Sequence, residues 1–128
     1  MSYILLIEDN SSSAEMTIRI LTSAGYQVEH ALRGFDGAKL ARIRKPALIL
    51  MDYDLPDING RTLALSLKKQ LGGISAPPIV AVTAHTEAIE TRMANNFGCS
   101  AIVSKPFVPE ELLKIVQRFM SFNDSTSE

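Results

Sequence analysis

Three short runs of this chain are apolar from end to end: Tyr3 to Ile7, Ala47 to Met51 and Ile79 to Val82. A run with no polar side has no face to turn toward water. Runs this short, too short for buried helices, fit β-strands covered on both faces of a sheet. Two weaker runs accompany them, Gln27 to Ala31 and Ala101 to Val103. The first of these alternates polar with apolar residues, as an edge strand does. None approaches the ~20 apolar residues that a membrane span requires, so no membrane insertion is expected.

The stretches between the runs have helical period. Ser12 and Glu15 have capping-box spacing, and Met16, Ile20 and Leu21 follow on one face before Gly25 ends the turn. Phe35, Ala38 and Ala41 mark a second helix that closes before Pro46. Leu63, Leu67 and Leu71 recur every fourth residue until Gly72 and Gly73 break the pattern. Thr86 caps a fourth helical segment with Glu87 and Glu90 in its first turn. Pro109 opens the last, which sends Leu112, Leu113, Val116 and Phe119 inward.

Five strands alternating with five helices imply an α/β fold: a five-stranded parallel sheet, doubly wound, with right-handed crossovers and helices on both faces. The 128 residues fit one domain, read as residues 1–122 followed by a small, polar, frayed tail at 123–128. A domain of this size needs no disulfide or metal staple. Cys99 has no internal partner, and no basic signal-peptide start precedes the first run, which together suit a cytoplasmic protein. Thirteen basic against fourteen acidic residues give a net charge of −1, which removes most of the driving force for direct nucleic-acid binding.

Ligands on doubly wound sheets sit at the carboxyl ends of the strands, near the point where strand order reverses. The residues there are Glu8 and Asp9 after the first run, Asp52 after the third, Thr83 after the fourth and Lys105 with Pro106 after the fifth. Singly, each is an ordinary turn acid, β-former or solvated lysine. Together they put three carboxylates, a hydroxyl and an ammonium on one predicted edge. Like charges ~4 Å apart repel by about 4 kcal/mol at the effective dielectric of a protein surface, which favours proton uptake or a bound cation. Hard oxygen ligands suit Mg²⁺ better than zinc or calcium. Such a site can serve phosphoryl transfer: Asp52 as nucleophile, Glu8 and Asp9 as the metal-holding pair, Thr83 and Lys105 on phosphoryl oxygens.

At these residues the chain resembles the receiver domain of two-component response regulators, along nearly its whole length. The matching pieces are Ile7 to Asn10, Leu50 to Pro56 with Gly60, Val82 to Ala84, and Lys105 to Phe107, in the family's order and spacing. The resemblance implies the flavodoxin-like receiver fold and a single-domain regulator of the chemotaxis type. Asp52 would accept a phosphoryl group from a phosphohistidine on a sensor histidine kinase or histidine phosphotransfer protein. Mg²⁺ would be held by Asp9, Asp52 and the backbone carbonyl of Asp54, with Glu8 acting largely through water. Thr83 and Lys105 carry over as phosphoryl ligands, and the bond before Pro106 is typically cis. Such a protein is a signalling switch rather than an enzyme, catalysing only its own phosphoryl acceptance and slow dephosphorylation. The active form would dock on an unidentified downstream protein through the fourth and fifth helices and fifth strand, a face that carries Glu87, Glu90, Arg92, Asn95, Lys114 and Arg118.

Gly60 reads as a position where a side chain would obstruct the turn, and Ala84 as a small residue that leaves the pocket mouth open. The chain departs from the family where an aromatic usually stands three residues before the lysine: here it is Ile102. Isoleucine is stiff and has no hydroxyl, which puts the usual threonine-to-aromatic switch in doubt. Asp54 and His85, two residues past Asp52 and Thr83, occupy positions that tune phosphoryl lifetime in the family. Asp57 reads as an exposed turn acid. Two competitors share some of these residues. A phosphatase of the haloacid-dehalogenase type would use Asp52 and Asp54 as nucleophile and general acid/base, but leaves Glu8 and Asp9 unexplained. A non-phosphorylated binding module on the receiver fold would leave the acidic cluster without a purpose.

Overall fold

The computed structural model describes residues 2–84 and 98–127, with side chains described as far as residue 120. Among them are five strands, β1 (Ile4–Ile7), β2 (Val28–Ala31), β3 (Leu48–Asp52), β4 (Ile79–Thr83) and β5 (Ala101–Ser104). The helices are α1 (Ser11–Ser23), α2 (Gly34–Ile43), α3 (Gly60–Gln70) and α4 (Pro109–Ser127), with a 3-10 turn at Gly73–Ser75. All strands pair in parallel, in the order β2-β1-β3-β4-β5. The alternating run is thus an edge strand, as its pattern predicts. The expected helix after Thr86, with His85, Glu87, Glu90, Arg92 and Asn95, lies outside the described residues.

Period two along the strands explains the two-sided core. On β1, Ile4 and Leu6 pack with Ala14, Leu21, Leu112, Val116 and Met120 on the face covered by α1 and α4. Leu5 and Ile7 pack with Ala41, Leu63, Ala64 and Leu67 on the face covered by α2 and α3. β3 repeats the division, Leu48 and Leu50 to one side, Ile49 and Met51 to the other, all fully buried. The chain runs from β1 outward to β2, then returns to β3 and on to β5. The reversal falls between β1 and β3, the place where a doubly wound sheet opens a crevice at its carboxyl edge.

Several local expectations are corrected. Helix α1 is capped by Asn10, whose side chain accepts from Ser13 N at 2.9 Å; Ser12 lies inside the first turn and forms no capping box with Glu15. The buried stripe of α1 is Ala14, Thr17 and Leu21, so Met16 is left 46% exposed. On α2 the inward positions are Gly34, Gly37 and Ala41, and Phe35 is 62% exposed. Small residues win there because α2 lies close on β1: a Cβ on Gly37 would sit 2.5 Å from Ile7 Cδ1. Helix α4 is continuous as far as Ser127. A helix already nucleated extends through polar residues at one hydrogen bond per residue fixed. No described helix is long and apolar enough to cross a membrane.

Candidate functional site

Register alone lines up the strand-end residues. Ile7 is opposite Met51 on the β1–β3 pair, so the next residues, Glu8 and Asp52, come abreast. Asp52 pairs with Val82 and Thr83 with Ser104, which places Thr83 and then Lys105 further along the same edge. Lys105 is fixed by its own backbone, donating from N to Thr83 O at 2.9 Å, and the Lys105–Pro106 bond is cis. Carboxylate oxygens of Glu8, Asp9 and Asp52 all lie within 4.8 Å of one another. Glu8 and Asp52 are buried and Asp9 is exposed at the mouth. An acidic cluster of this kind could bind a metal ion.

The Lys105 ammonium donates to Glu8 Oε1 at 2.8 Å and stands 3.7 Å from Asp52 Oδ2. Glu8 is therefore held directly by the lysine, and its other oxygen accepts from Asn10 N at 3.2 Å. The Glu8 carbonyl lies 2.8 Å from His30 Nε2 on edge strand β2. His30 is a neighbour the sequence did not single out, because nothing in its alternating strand distinguishes a site residue. Asp52 Oδ1 accepts from Asp54 N at 3.1 Å. The Thr83 hydroxyl, on a fully buried residue, donates to Asp54 Oδ2 at 3.3 Å. The Asp54 side chain is thus turned toward Thr83 at the rim of the site.

Burial pushes the Asp52 carboxyl above its ordinary range. A hydrogen bond with Glu8 and that group's charge add to the rise, against the pull of the Asp54 N–H and the Lys105 charge. Burial alone would lower the Lys105 pKa, but the hydrogen bond with Glu8 and the charges of Asp52, Glu8 and Asp9 outweigh it and hold the ammonium up. The site keeps a firm cation and a carboxylate that resists ionising, an arrangement that favours an added positive charge beside Asp52.

The loop between β3 and α3 carries the remaining residues. Asn59 caps α3 by accepting from Arg61 N at 2.9 Å and Thr62 N at 3.4 Å. Gly60 opens the helix against the loop's own start: a Cβ there would lie 2.6 Å from the Tyr53 carbonyl oxygen. Asp57 is not the idle turn acid its position suggests, since its two oxygens accept from Gly34 N and Phe35 N at 2.9 and 3.0 Å. Desolvation would raise its pKa, but these two hydrogen bonds, its own N–H and the charge of Arg33 together bring it below the ordinary value. Ala84 is exposed just past Thr83. Ile102 is half-buried on β5 opposite Ala81, so the position expected to carry the switch lies two residues along the strand from Ser104 and three from Lys105.

Comparison with known proteins agrees with this geometry. The family model described as the response regulator receiver domain matches residues 4–117. The chain is 26% identical over 117 residues to the polar-differentiation response regulator DivK of Brucella anthropi, covering 91% of this chain and 94% of that protein. It is 34% identical over 118 residues to hybrid signal transduction histidine kinase G of Dictyostelium discoideum, where the match covers 91% of this chain but 3% of the relative's length. Among solved structures, the receiver domain of a sensor histidine kinase from Pseudomonas aeruginosa superposes with a TM-score of 0.81 at 30% identity, covering 94% of this chain and 98% of that one. That structure has a magnesium ion coordinated in its active site cleft. The matched family is that of receivers, not the dehalogenase-like phosphatases.

Proposed function

Since the chain belongs to the response regulator receiver domain family, we propose that it is a phosphorylation switch in which Asp52 accepts the phosphoryl group. The observation that carries this reading is the convergence of Glu8, Asp9, Asp52, Thr83 and Lys105 on one sheet edge at the reversal of strand order. The donor is a phosphohistidine on a sensor kinase or phosphotransfer protein. The Asp52 oxygen forms its bond to phosphorus as the P–N bond breaks, and the electron pair of that bond returns to the imidazole. Lys105, 3.7 Å from Asp52 Oδ2, would leave Glu8 and contact a phosphoryl oxygen, and the Thr83 hydroxyl would leave Asp54 for another.

The donor set suits Mg²⁺: clustered carboxylate oxygens, with no imidazole or thiolate in the cluster among the described residues. Asp9, Asp52 and the Asp54 backbone carbonyl would hold the ion, and Glu8 would act through water. Bound there, it would neutralise the cluster and the charge on the transferred phosphoryl oxygens. Asp54, already bonded to Thr83, and His85, two residues past Thr83 in the sequence, would tune the lifetime of the acyl phosphate. Ile102 has no hydroxyl with which to exchange partners, so the signal passes to β5 as a backbone shift that follows Thr83. Phosphorylation shifts a two-state population, and the favoured state docks a protein partner in a cytoplasmic pathway.

Incubation with acetyl phosphate and Mg²⁺ tests the reading. Intact-mass measurement should show one added phosphoryl group on the wild type and none on Asp52→Asn. A wild type left unmodified by both acetyl phosphate and phosphorylated kinase contradicts it.

A further inference from the structure

Helix α2 opens without a cap of its own. Arg33 precedes it in extended conformation, and its side chain, paired with Asp36 at 3.4 Å, caps none of the first-turn N–H groups. First-turn N–H groups have no acceptor within their helix. Here they are met from a distant segment: Asp57 Oδ1 accepts from Gly34 N at 2.9 Å and Oδ2 from Phe35 N at 3.0 Å, across separations of 23 and 22 residues. A carboxylate at this end of a helix also lies in the favourable field of its dipole. A second observation shows that the approach is built in: a Cβ on Gly34 would collide with Ile58 Cγ2, so glycine at 34 lets the loop reach the helix.

Asp57 stands in the middle of the segment that leads from Asp52 to α3. The start of that segment is held to the sheet, through Tyr53 N on Val82 O at 3.1 Å and Asp54 N on Asp52 Oδ1 at 3.1 Å. Its end is held to α3 by the Asn59 cap. Between them, Asp57 fastens the loop to α2. We propose that Asp57 is a positioning residue for phosphoryl acceptance, its two-pronged hold on the start of α2 fixing the loop that keeps the Asp54 backbone beside Asp52. The proposal rests on the reading of Asp52 as acceptor. Asp57 touches neither the phosphoryl group nor the metal; it acts through the loop.

Three variants test this. Asp57→Ala removes both acceptors and Asp57→Asn keeps one. Phe35→Pro deletes a donor from the helix side, where a first turn tolerates proline and an exposed side chain gives up little packing. The readouts are the rate of phosphoryl acceptance from acetyl phosphate at saturating Mg²⁺ and the Mg²⁺ dissociation constant by calorimetry, both well below each variant's melting midpoint. Asp57→Ala should be slower and bind Mg²⁺ more weakly by roughly tenfold, the usual effect of losing an outer support of a metal site, with the other two between it and wild type. Should Asp57→Ala fail to fold, the milder pair carries the test. Folded variants that melt earlier yet keep the wild-type rate and Mg²⁺ affinity overturn the proposal, since capping α2 would then be Asp57's entire role. A wild type that takes up no phosphoryl group contradicts the acceptor reading instead, and the Mg²⁺ affinities still decide whether Asp57 positions the loop.

Discussion

The carboxyl of Asp52, the proposed acceptor, occupies a place that disfavours its own charge. Its folded pKa lies above the unfolded value near 3.8, through burial first and then through Glu8. A group raised in this way adds stability while protonated, fully so below the unfolded pKa, and loses that contribution as pH rises through the folded pKa. At neutral pH the ionised Asp52 is therefore a burden on the fold. Asp52→Asn should raise stability in urea at pH 7 by about 1 kcal/mol, the gain shrinking as pH falls through the Asp52 pKa. A variant less stable than wild type at pH 7 would show that the Lys105 attraction outweighs burial. The site residues were readable because each ends an apolar run, and a strand end is visible in sequence. His30 and the tie made by Asp57 were not, because both depend on what a distant segment brings near.

Among the elements, the two glycines of close approach make a paired test. Gly37→Ala should gain about 1 kcal/mol of helix propensity but press on Ile7, and overpacking of about 1–3 kcal/mol makes the net effect a modest loss. At Gly60 the obstacle is the Tyr53 backbone carbonyl, which cannot rotate aside as a side chain can. Gly60→Ala should therefore lose more in thermal unfolding than Gly37→Ala, and should slow phosphoryl acceptance as well. Equal losses, with acceptance untouched, would show that the loop relaxes freely. Strands were legible from unbroken apolar runs, and so was the edge position of β2. Helix faces were less so: Phe35 looks like a core residue by type, but α2 lies so close on β1 that Gly34, Gly37 and Ala41 take the inward positions, while on α1 the stripe Ala14, Thr17 and Leu21 leaves Met16 off the buried face. The cap at Asn10 was missed because Ser12 and Glu15 offer the same spacing two residues later.

At the scale of the whole molecule, a domain held together by two apolar layers keeps a strained acidic edge that stability alone does not require. Binding of Mg²⁺ to the folded state should offset that strain by mass action, about 2.7 kcal/mol at a hundredfold excess over the dissociation constant, reversed by chelation and weakened in Asp9→Asn. Thermal unfolding with and without Mg²⁺ measures it, and equal melting with and without the ion would remove the metal from the account. On the proposed reading Asp52 is the residue that reacts with phosphorus, and Asp54, two residues on and bonded to Thr83, is not the acceptor. The most direct test of this central claim is to treat the protein with acetyl phosphate and Mg²⁺, reduce the acyl phosphate with borohydride, and map the peptides. Homoserine at position 52, absent when Mg²⁺ is chelated, is the result predicted; homoserine at position 54, or at neither, would contradict it.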